Sequence, residues 1–353
     1  MAVTITDVAR AAGVSASTVS RALSVPEKVE PGTRERVLRV AEHLGYQPNR
    51  AARGLITGRT GNLGLILPDL ANPFFPGLVK SVQHHAHRAD YQLLMMDTDE
   101  DPAVELGLVR SLAKQVDGVI LCSPRMRPQD LREAATLGPT VLVNRKARGV
   151  PAVLFDNGDG MLQVLTHLAG LGHEHVGFAG GPRSSWSDTE RVRGLRENAA
   201  AVGVRVTELG HFPPTFDGGR IAVESALLSG ATAVLAYNDL VAVGLCRALA
   251  ERGVAVPGDL SVVGIDDIAL AGMVQPALTT LSLPTGTAGQ AAVDLLLALL
   301  ADPVTTGRAP QVDVQTSLLQ RDSTGRPGAV PAPTRPTLAR PSTSGRRRPP
   351  RRS

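Results

Sequence analysis

At 353 residues, with 43% hydrophobic and 20% charged side chains, the chain has the size of two or three domains and the balance of a folded globular protein. Its apolar runs, such as residues 294–301, are too short to span a bilayer. The first residues lack the basic and apolar regions of a signal peptide, and Cys122 and Cys246 sit in apolar stretches as small buried hydrophobes, so the expected place is the cytoplasm. The net charge of +4 is unevenly spread: residues 1–60 carry 9 Lys+Arg against 5 Asp+Glu, residues 61–322 carry 20 against 28, and residues 323–353 carry 8 arginines and no acid. A basic head on an acidic body points to a polyanion as the partner of the head alone.

From Ile5 to Leu23 the spacing is that of two short helices joined by a tight turn. Thr6 is the expected N-cap of the first, with Asp7 beside its positive end; it runs to about Ala12, and Gly13 supplies the left-handed turn residue. Ser15 caps a second helix, from Ala16 to about Leu23. A third, from Pro31 to about Leu44, lines Val37, Val40, Ala41 and Leu44 on one face and ends at Gly45. Val8, Val14, Val19 and Leu23 can meet between the first two. The exposed face of the second helix offers Ala16, Ser17, Ser20 and Arg21, at the end that would enter a major groove. Arg21 can pair bidentately with a guanine edge, and Ser17 is a tolerant hydrogen-bonder. A scaffold or protein-binding module with a merely solvated Arg21 is the plainer alternative. Residues 47–56 then have helix potential and lead into the Gly-containing stretch 57–61.

After Gly61 the period changes. Short apolar runs at 63–68, 91–97, 118–122, 140–144, 152–155, 175–179, 233–237 and 260–265 alternate with helical stretches such as 76–89, 158–171 and 239–252. Continuous apolar strands between helices indicate parallel sheets covered on both faces, and the length fits two such units. Ligands of open α/β sheets bind at the carboxyl ends of the strands. That selects Asp69 with Asn72, Phe74 and Phe75, then Asn144 with Arg145, the loop from Arg183 to Arg191, Asn238 with Asp239, and Asp266 with Asp267. Carboxylates and amides there would hold hydroxyls while an aromatic stacks on an apolar ring face, which suits a sugar or nucleoside better than a phosphate. Each has a plain alternative: Asn238 and Asp239 could cap the next helix, and Phe74 or Phe75 could be core. The histidines at 84, 85 and 87, and at 173 and 175, lack a metal-ligand set and are expected to be solvated or capping. No hydrolase elbow, phosphate loop or zinc spacing occurs, so no catalytic residue, metal or cofactor is expected.

The motifs Thr4-Ile-Thr-Asp-Val-Ala, Gly13-Val-Ser, Ser17-Thr-Val-Ser-Arg-Ala-Leu, Thr33-Arg-Glu-Arg-Val, Leu44-Gly-Tyr-Gln-Pro-Asn-Arg-Ala-Ala and Asn72-Pro-Phe-Phe occur in order. Together they resemble the LacI/GalR (lactose-repressor) family, and the resemblance continues at lower density to about residue 322. It implies an N-terminal all-α helix-turn-helix domain (1–46), a hinge helix and linker (47–60), and an α/β two-lobed, periplasmic-binding-protein-like core of doubly wound parallel sheets (61–322). Lobe one would take about 61–155 and 285–309, and lobe two about 156–284 and 310–322. DNA contacts would fall on Thr4, Ser15, Ala16, Ser17, Ser20 and Arg21. The hinge residues Asn49, Arg50, Ala52 and Leu55 would add to them, Leu55 wedging the minor groove at the dimer centre. A simple core role for Leu55 is the alternative. Effector contacts would fall on Phe74, Phe75, Asn144, Ser185, Ser187, Arg191, Asn238 and Asp266, with Asp69 added from its strand-end position, in a cleft lined by both lobes.

Three departures stand out: Asn144 where the family often has aspartate, Leu283 where a polar contact is common, and Pro214 at the position of a cleft aromatic, flanked by Phe212 and Phe216. Residues 323–353 read as a disordered basic tail; they lack the leucine-heptad helix with which some members of that family form tetramers, so the resemblance implies a homodimer. The expected function is a ligand-responsive repressor that binds a pseudopalindromic duplex-DNA operator. The body alone would also suit a transporter's solute-binding protein or a sugar-modifying enzyme. The head argues against the first, and the missing nucleophile–base or metal set against the second.

Overall fold

A computed structural model describes residues 3–24, 26–46, 59–302 and 309–328. The expected hinge contacts Asn49, Arg50, Ala52 and Leu55 lie outside the described residues, as does the chain from 329 on.

Three helices make the head: α1 (Ile5–Ala12), α2 (Ala16–Ser24) and α3 (Pro31–His43). Val8, Ala9, Ala12, Val19, Ala22, Val37 and Ala41 form a single buried layer between them, flanked by half-buried Val14, Leu23, Val40 and Leu44. The N-cap of α1 is Thr4, not Thr6. The Thr4 hydroxyl and backbone N–H both donate to Asp7 Oδ2, at 2.6 and 3.0 Å, so the acid three residues on decides where the helix starts. These two donors hold the Asp7 carboxyl below its ordinary range. Gly13 closes α1 in the left-handed region at φ 64°, and Ser15 Oγ accepts the Thr18 N–H at 3.1 Å to open α2.

The described chain divides into two compact units: the head and the residues through Phe155 with Pro284–Val314, and Asp156–Leu283 with the residues from Gln315 onward. In lobe one the order is β1 (Asn62–Leu67), α4 (Phe74–Arg88), β2 (Gln92–Asp97), α5 (Pro102–Leu112), β3 (Gly118–Cys122), α6 (Pro128–Ala134), β4 (Thr140–Val143) and β5 (Ala152–Phe155). Lobe two follows with α7 (Asn157–Leu171), β6 (His175–Gly180), α8 (Trp186–Ala199), β7 (Arg205–His211), α9 (Phe216–Leu228), β8 (Ala233–Ala236), α10 (Asp239–Ala250), β9 (Ser261–Asp266) and β10 (Thr279–Ser282). The chain then returns as α11 (Thr285–Ala301) and β11 (Gln311–Val314) before β12 (Ser317–Leu319).

The first sheet has the order β11-β5-β4-β3-β1-β2, with every pair parallel. The second has the order β12-β10-β9-β8-β6-β7 and is parallel except for β12 against β10. Central strands β3, β4, β6, β8 and β9 are buried along their whole length, as expected of a sheet covered on both faces, whereas edge strands β2 and β7 are largely half-buried or exposed.

Two expected boundaries move. Residues 311–314 do not belong to lobe two: Gln311 to Val314 pair with Ala152 to Phe155, adding an edge strand to the first sheet. The tail does not begin at Ser323 either. Ser323 is fully buried, its carbonyl accepts the Val262 N–H at 2.9 Å, and its hydroxyl donates to the Val262 carbonyl at 2.6 Å. Gly325 donates to Ser261 Oγ at 3.0 Å and its carbonyl lies 2.9 Å from His173 Nε2. Backbone pairing overrides the Pro- and Ser-rich composition through Gly325.

Candidate functional site

On the head, Ser15, Ser17 and Arg21 are exposed while Ala16 and Ser20 are half-buried, so the expected reading face is only partly open. Arg21 lies back along α2: its Nε donates to the Ser17 carbonyl at 3.2 Å and its Nη2 to Ser17 Oγ at 3.4 Å. Ser15 Oγ is 2.8 Å from both Ser17 Oγ and Thr18 Oγ1. Serine hydroxyls and a guanidinium thus share one side of the second helix, supported from behind by the apolar layer.

In lobe one, β1 lies between β2 and β3, which puts the sheet's switch point at the loops after β1 and β3. Asp69 sits in the first of these. Its Oδ1 accepts the Ala71 N–H at 2.7 Å, and burial pushes its carboxyl above the ordinary range, with the charges of Asp97, Glu100 and Asp99 adding to it. Asn72 Oδ1 accepts the Phe74 N–H at 3.1 Å where α4 begins. Phe74 and Phe75 are buried, edge-to-face at 5.1 Å, and Phe74 meets Phe155 at 6.1 Å. Their rings are part of the packed wall.

Ser123 and Asn144, each the first residue after a strand, take left-handed backbone angles of φ 45° and 54°. Such conformations cost about 1–3 kcal/mol each and persist where the surroundings enforce them. Asn144 Nδ2 donates to Ser123 Oγ at 3.0 Å, but its Oδ1 is buried without a hydrogen-bond partner. The next residue, Arg145, is 9% exposed and its Nε likewise has none. Neighbouring charges are otherwise satisfied. Arg125 forks onto Glu100 at 2.6 and 2.8 Å, and the buried Glu105 carboxylate accepts the Arg125 and Met126 N–H groups at 2.8 and 2.6 Å. Burial raises the Glu105 pKa and lowers that of Arg145, each disfavouring its charged form.

In lobe two the switch point falls beside β6, between β7 and β8. Ser185 caps α8 through the Asp188 N–H at 3.2 Å. Its Oγ is 2.9 Å from Ser187 Oγ and 2.9 Å from the Tyr237 hydroxyl, which lies 3.4 Å from Ser187 Oγ. Arg191, 3% exposed, donates from Nη1 to the Tyr237 carbonyl at 2.5 Å and from Nε to Asn157 Oδ1 at 3.3 Å, with Cζ 4.9 Å from the Tyr237 ring centroid. Asp188 accepts the Gly181 N–H at 2.7 Å; burial pushes its carboxyl up, with that N–H and Arg191 opposing. Asn238 caps α10: its Oδ1 accepts the Val241 N–H and its Nδ2 donates to the Pro214 carbonyl, both at 2.9 Å. Asp266 ends β9 at φ 123°, and Asp267 at φ 59° pairs with Arg321 at 2.7 Å.

Ser185, Ser187 and Arg191 are therefore brought together, as are Asn144 and Arg145, each group at the carboxyl ends of one sheet. Asn157, Ser123 and Tyr237 belong to these constellations and were not singled out from sequence. The available signal for Tyr237 was an aromatic hydroxyl at the end of an apolar strand, directly before Asn-Asp. The histidines serve the fold: His173 spans Thr232 and Gly325, His175 is 2.8 Å from Thr207 Oγ1, and His85 Nδ1 is 2.8 Å from the Ser81 carbonyl. Cys122 and Cys246 are free thiols, both pushed by burial to about 12. Among the described residues, no helix is long and apolar enough to cross a membrane.

Comparison with known proteins places these features in context. Residues 4–49 match the model of bacterial regulatory proteins of the lacI family, and residues 165–324 match a periplasmic binding protein-like domain. Catabolite control protein A of Priestia megaterium is 33% identical over 84% of this chain and 92% of its own. Among solved structures, the lac repressor dimer bound to operator and the anti-inducer ONPF superposes with a TM-score of 0.81 at 28% identity, covering 92% of this chain and 100% of that one. A complex of the transcriptional regulator CelR with cellobiose gives 0.66 at 31% identity, covering 91% and 99%.

Proposed function

Because the chain belongs to the LacI family of bacterial regulatory proteins, and so is a transcriptional regulator, we propose that it represses by holding a pseudopalindromic operator as a homodimer, and that a small hydroxyl-rich effector, a sugar or nucleoside, changes that grip. The observation that carries the effector half of this reading is the pair of buried, unpartnered polar atoms on adjacent residues, Asn144 Oδ1 and Arg145 Nε. Buried polar groups in native proteins are almost always bonded, and an orphaned pair at strand ends offers one acceptor and one donor to a hydroxylated ligand. We read the chain as a cytoplasmic binding protein and not an enzyme; turnover of candidate sugars would overturn that.

The test is fluorescence anisotropy with operator DNA selected from random duplexes, in the presence and absence of sugars and nucleosides. A bound effector is expected to change operator affinity by about 1–3 kcal/mol. Arg21→Ala is expected to weaken operator binding by about 1–3 kcal/mol, the worth of a bidentate base contact. Arg191→Ala should retain operator binding and lose the effector response. A normal response in that variant overturns its assignment.

The dimer reading has its own support in lobe two. Ile221 and Leu228 of α9 and Met273 are 61%, 72% and 78% exposed, and a cavity of about 560 Å³ in the same lobe is lined by Phe216 of α9 with Val243, Cys246 and Val274 among others. We propose that a second copy covers this apolar surface. Sedimentation as a dimer that Ile221→Glu with Met273→Glu converts to monomer is expected; an unchanged dimer sinks this placement.

A further inference from the structure

We propose that Tyr237 sets the size of the ligand lobe two accepts, restricting the effector to a single ring; this rests on the hydroxylated-effector reading above. Tyr237 follows β8, and its N–H donates to the Ala179 carbonyl at 2.8 Å, which fixes it beside the end of β6. The side chain is 6% exposed. Its hydroxyl closes a triangle with Ser185 and Ser187, and its ring carries the Arg191 guanidinium. On another side it lies against backbone: a Cβ on Gly181 would fall 2.4–2.6 Å from three of its ring carbons, so only glycine fits there.

The phenol is a six-membered ring whose hydroxyl faces two serines and whose face meets an arginine. Those are the partners a saccharide ring would seek. Three residues marked by sequence as effector contacts are thus engaged by the chain's own side chain. Hydroxyls have one donor and two acceptor sites each, so the triangle consumes most of what Ser185 and Ser187 could offer. A ligand reaching lobe two meets a space already filled by one ring's worth of volume and hydrogen bonds. One sugar ring fits beside the phenol, while a second ring collides with it. Tyr237→Ala opens a ring-sized space floored by Ser185, Ser187 and Arg191.

The experiment titrates D-glucose, D-ribose and cellobiose into the full chain. It follows the fluorescence of Trp186, the single tryptophan, half-buried between Ser185 and Ser187 in the chain. Wild type and Tyr237→Phe, which keeps the ring, are expected to bind at least one monosaccharide about tenfold or more tightly than cellobiose. In Tyr237→Ala, cellobiose should gain about tenfold or more. Should thermal melting show that variant unfolded, Tyr237→Val supplies the same truncation with more packing retained. Wild-type binding of cellobiose as tightly as either monosaccharide overturns the proposal, as does monosaccharide binding with an unchanged profile in the truncated variant. Failure of every protein to bind any of the three sugars overturns the sugar reading of the effector and the proposal with it.

Discussion

Gly244→Ala is expected to lower the stability of lobe two by about 3 kcal/mol, the upper end of what overpacking usually costs. A Cβ on Gly244 would lie 1.9 Å from the Phe216 carbonyl oxygen and 3.2 Å from the Gly219 Cα. On the facing helix, a Cβ on Gly219 would lie 2.0 Å from the Val241 carbonyl oxygen and 2.7 Å from the Leu245 nitrogen. These obstacles are backbone atoms, so no rotamer change relieves them; α9 and α10 must move apart. The loss falls on the layer of Ala222, Val223, Ala226, Val241, Ala242 and Leu245 packed beneath them. Urea unfolding followed by Trp186 fluorescence should show a lower midpoint. Gly170→Ala in α7 is the control: nothing lies within 4 Å of its added Cβ, and relief of glycine's helix penalty should stabilise by about 0.5–1 kcal/mol. A Gly244→Ala midpoint equal to that of wild type would refute the close-packing account.

Asp239 carries the second large effect, a pH dependence. Its carboxyl is fully buried at the start of α10, where it accepts the Thr280 hydroxyl at 2.6 Å and the Ile268 N–H at 2.9 Å. Burial pushes its pKa from 3.8 to about 7, the two donors opposing and Asp267 adding. As pH rises from about 4 to about 7 the unfolded chain releases a proton that the folded chain retains. Stability is therefore greatest at the acid end of this window, falls across it and levels off above it. The loss is on the order of 4 kcal/mol for a shift of this size. Asp239→Asn should flatten the slope and, by setting an amide donor against the Ile268 N–H or the Thr280 hydroxyl, lower stability at the acid end. Other buried carboxyls, Asp188 and Glu105 among them, titrate with the same sign, so the difference between variant and wild-type melts from pH 4.5 to 8 isolates Asp239. Parallel pH profiles would refute it.

How far the fold was legible depended on where each strand lies in its sheet. β3, β4, β6, β8 and β9 are buried throughout and mostly apolar because helices cover both faces, and that pattern is visible in one dimension. Arg205 to His211 forms the edge strand β7, whose half-exposed, polar composition carries no such run. Thr279 and Thr280 of β10 are fully buried yet polar, because Ser323, Thr324 and Asp239 bond them; no local pattern contains those partners. The site followed the same rule. Strand-end position marked Asn144 and the loop from Arg183 to Arg191, and only the family resemblance singled out Ser185, Ser187 and Arg191 within it. That Tyr237 occupies two serines and an arginine follows from β8 lying beside β6, a neighbour relation fixed only in three dimensions. Asn238 is the reverse case, since its cap of α10 was an open alternative from sequence and its side chain bonds Val241 and Pro214 there.

The order in which the sheets acquire their last pieces has a bearing on synthesis. Helix α11 and strand β11, which cover and extend the first sheet, come from residues after 283; so do β12 and the stretch through Ser323 that completes the second. A ribosome that has released residues 1–283 has therefore delivered all of α7 to β10 and most of lobe one, yet has finished neither. The floor beneath Gly118, where Leu296 belongs, and the buried partners of Thr279 are both still to come. Such open, unpaired edges are what chaperones bind and proteases cut. For this chain, neither lobe is complete until residues after 283 have emerged, and a nonsense mutation before residue 311 removes part of both.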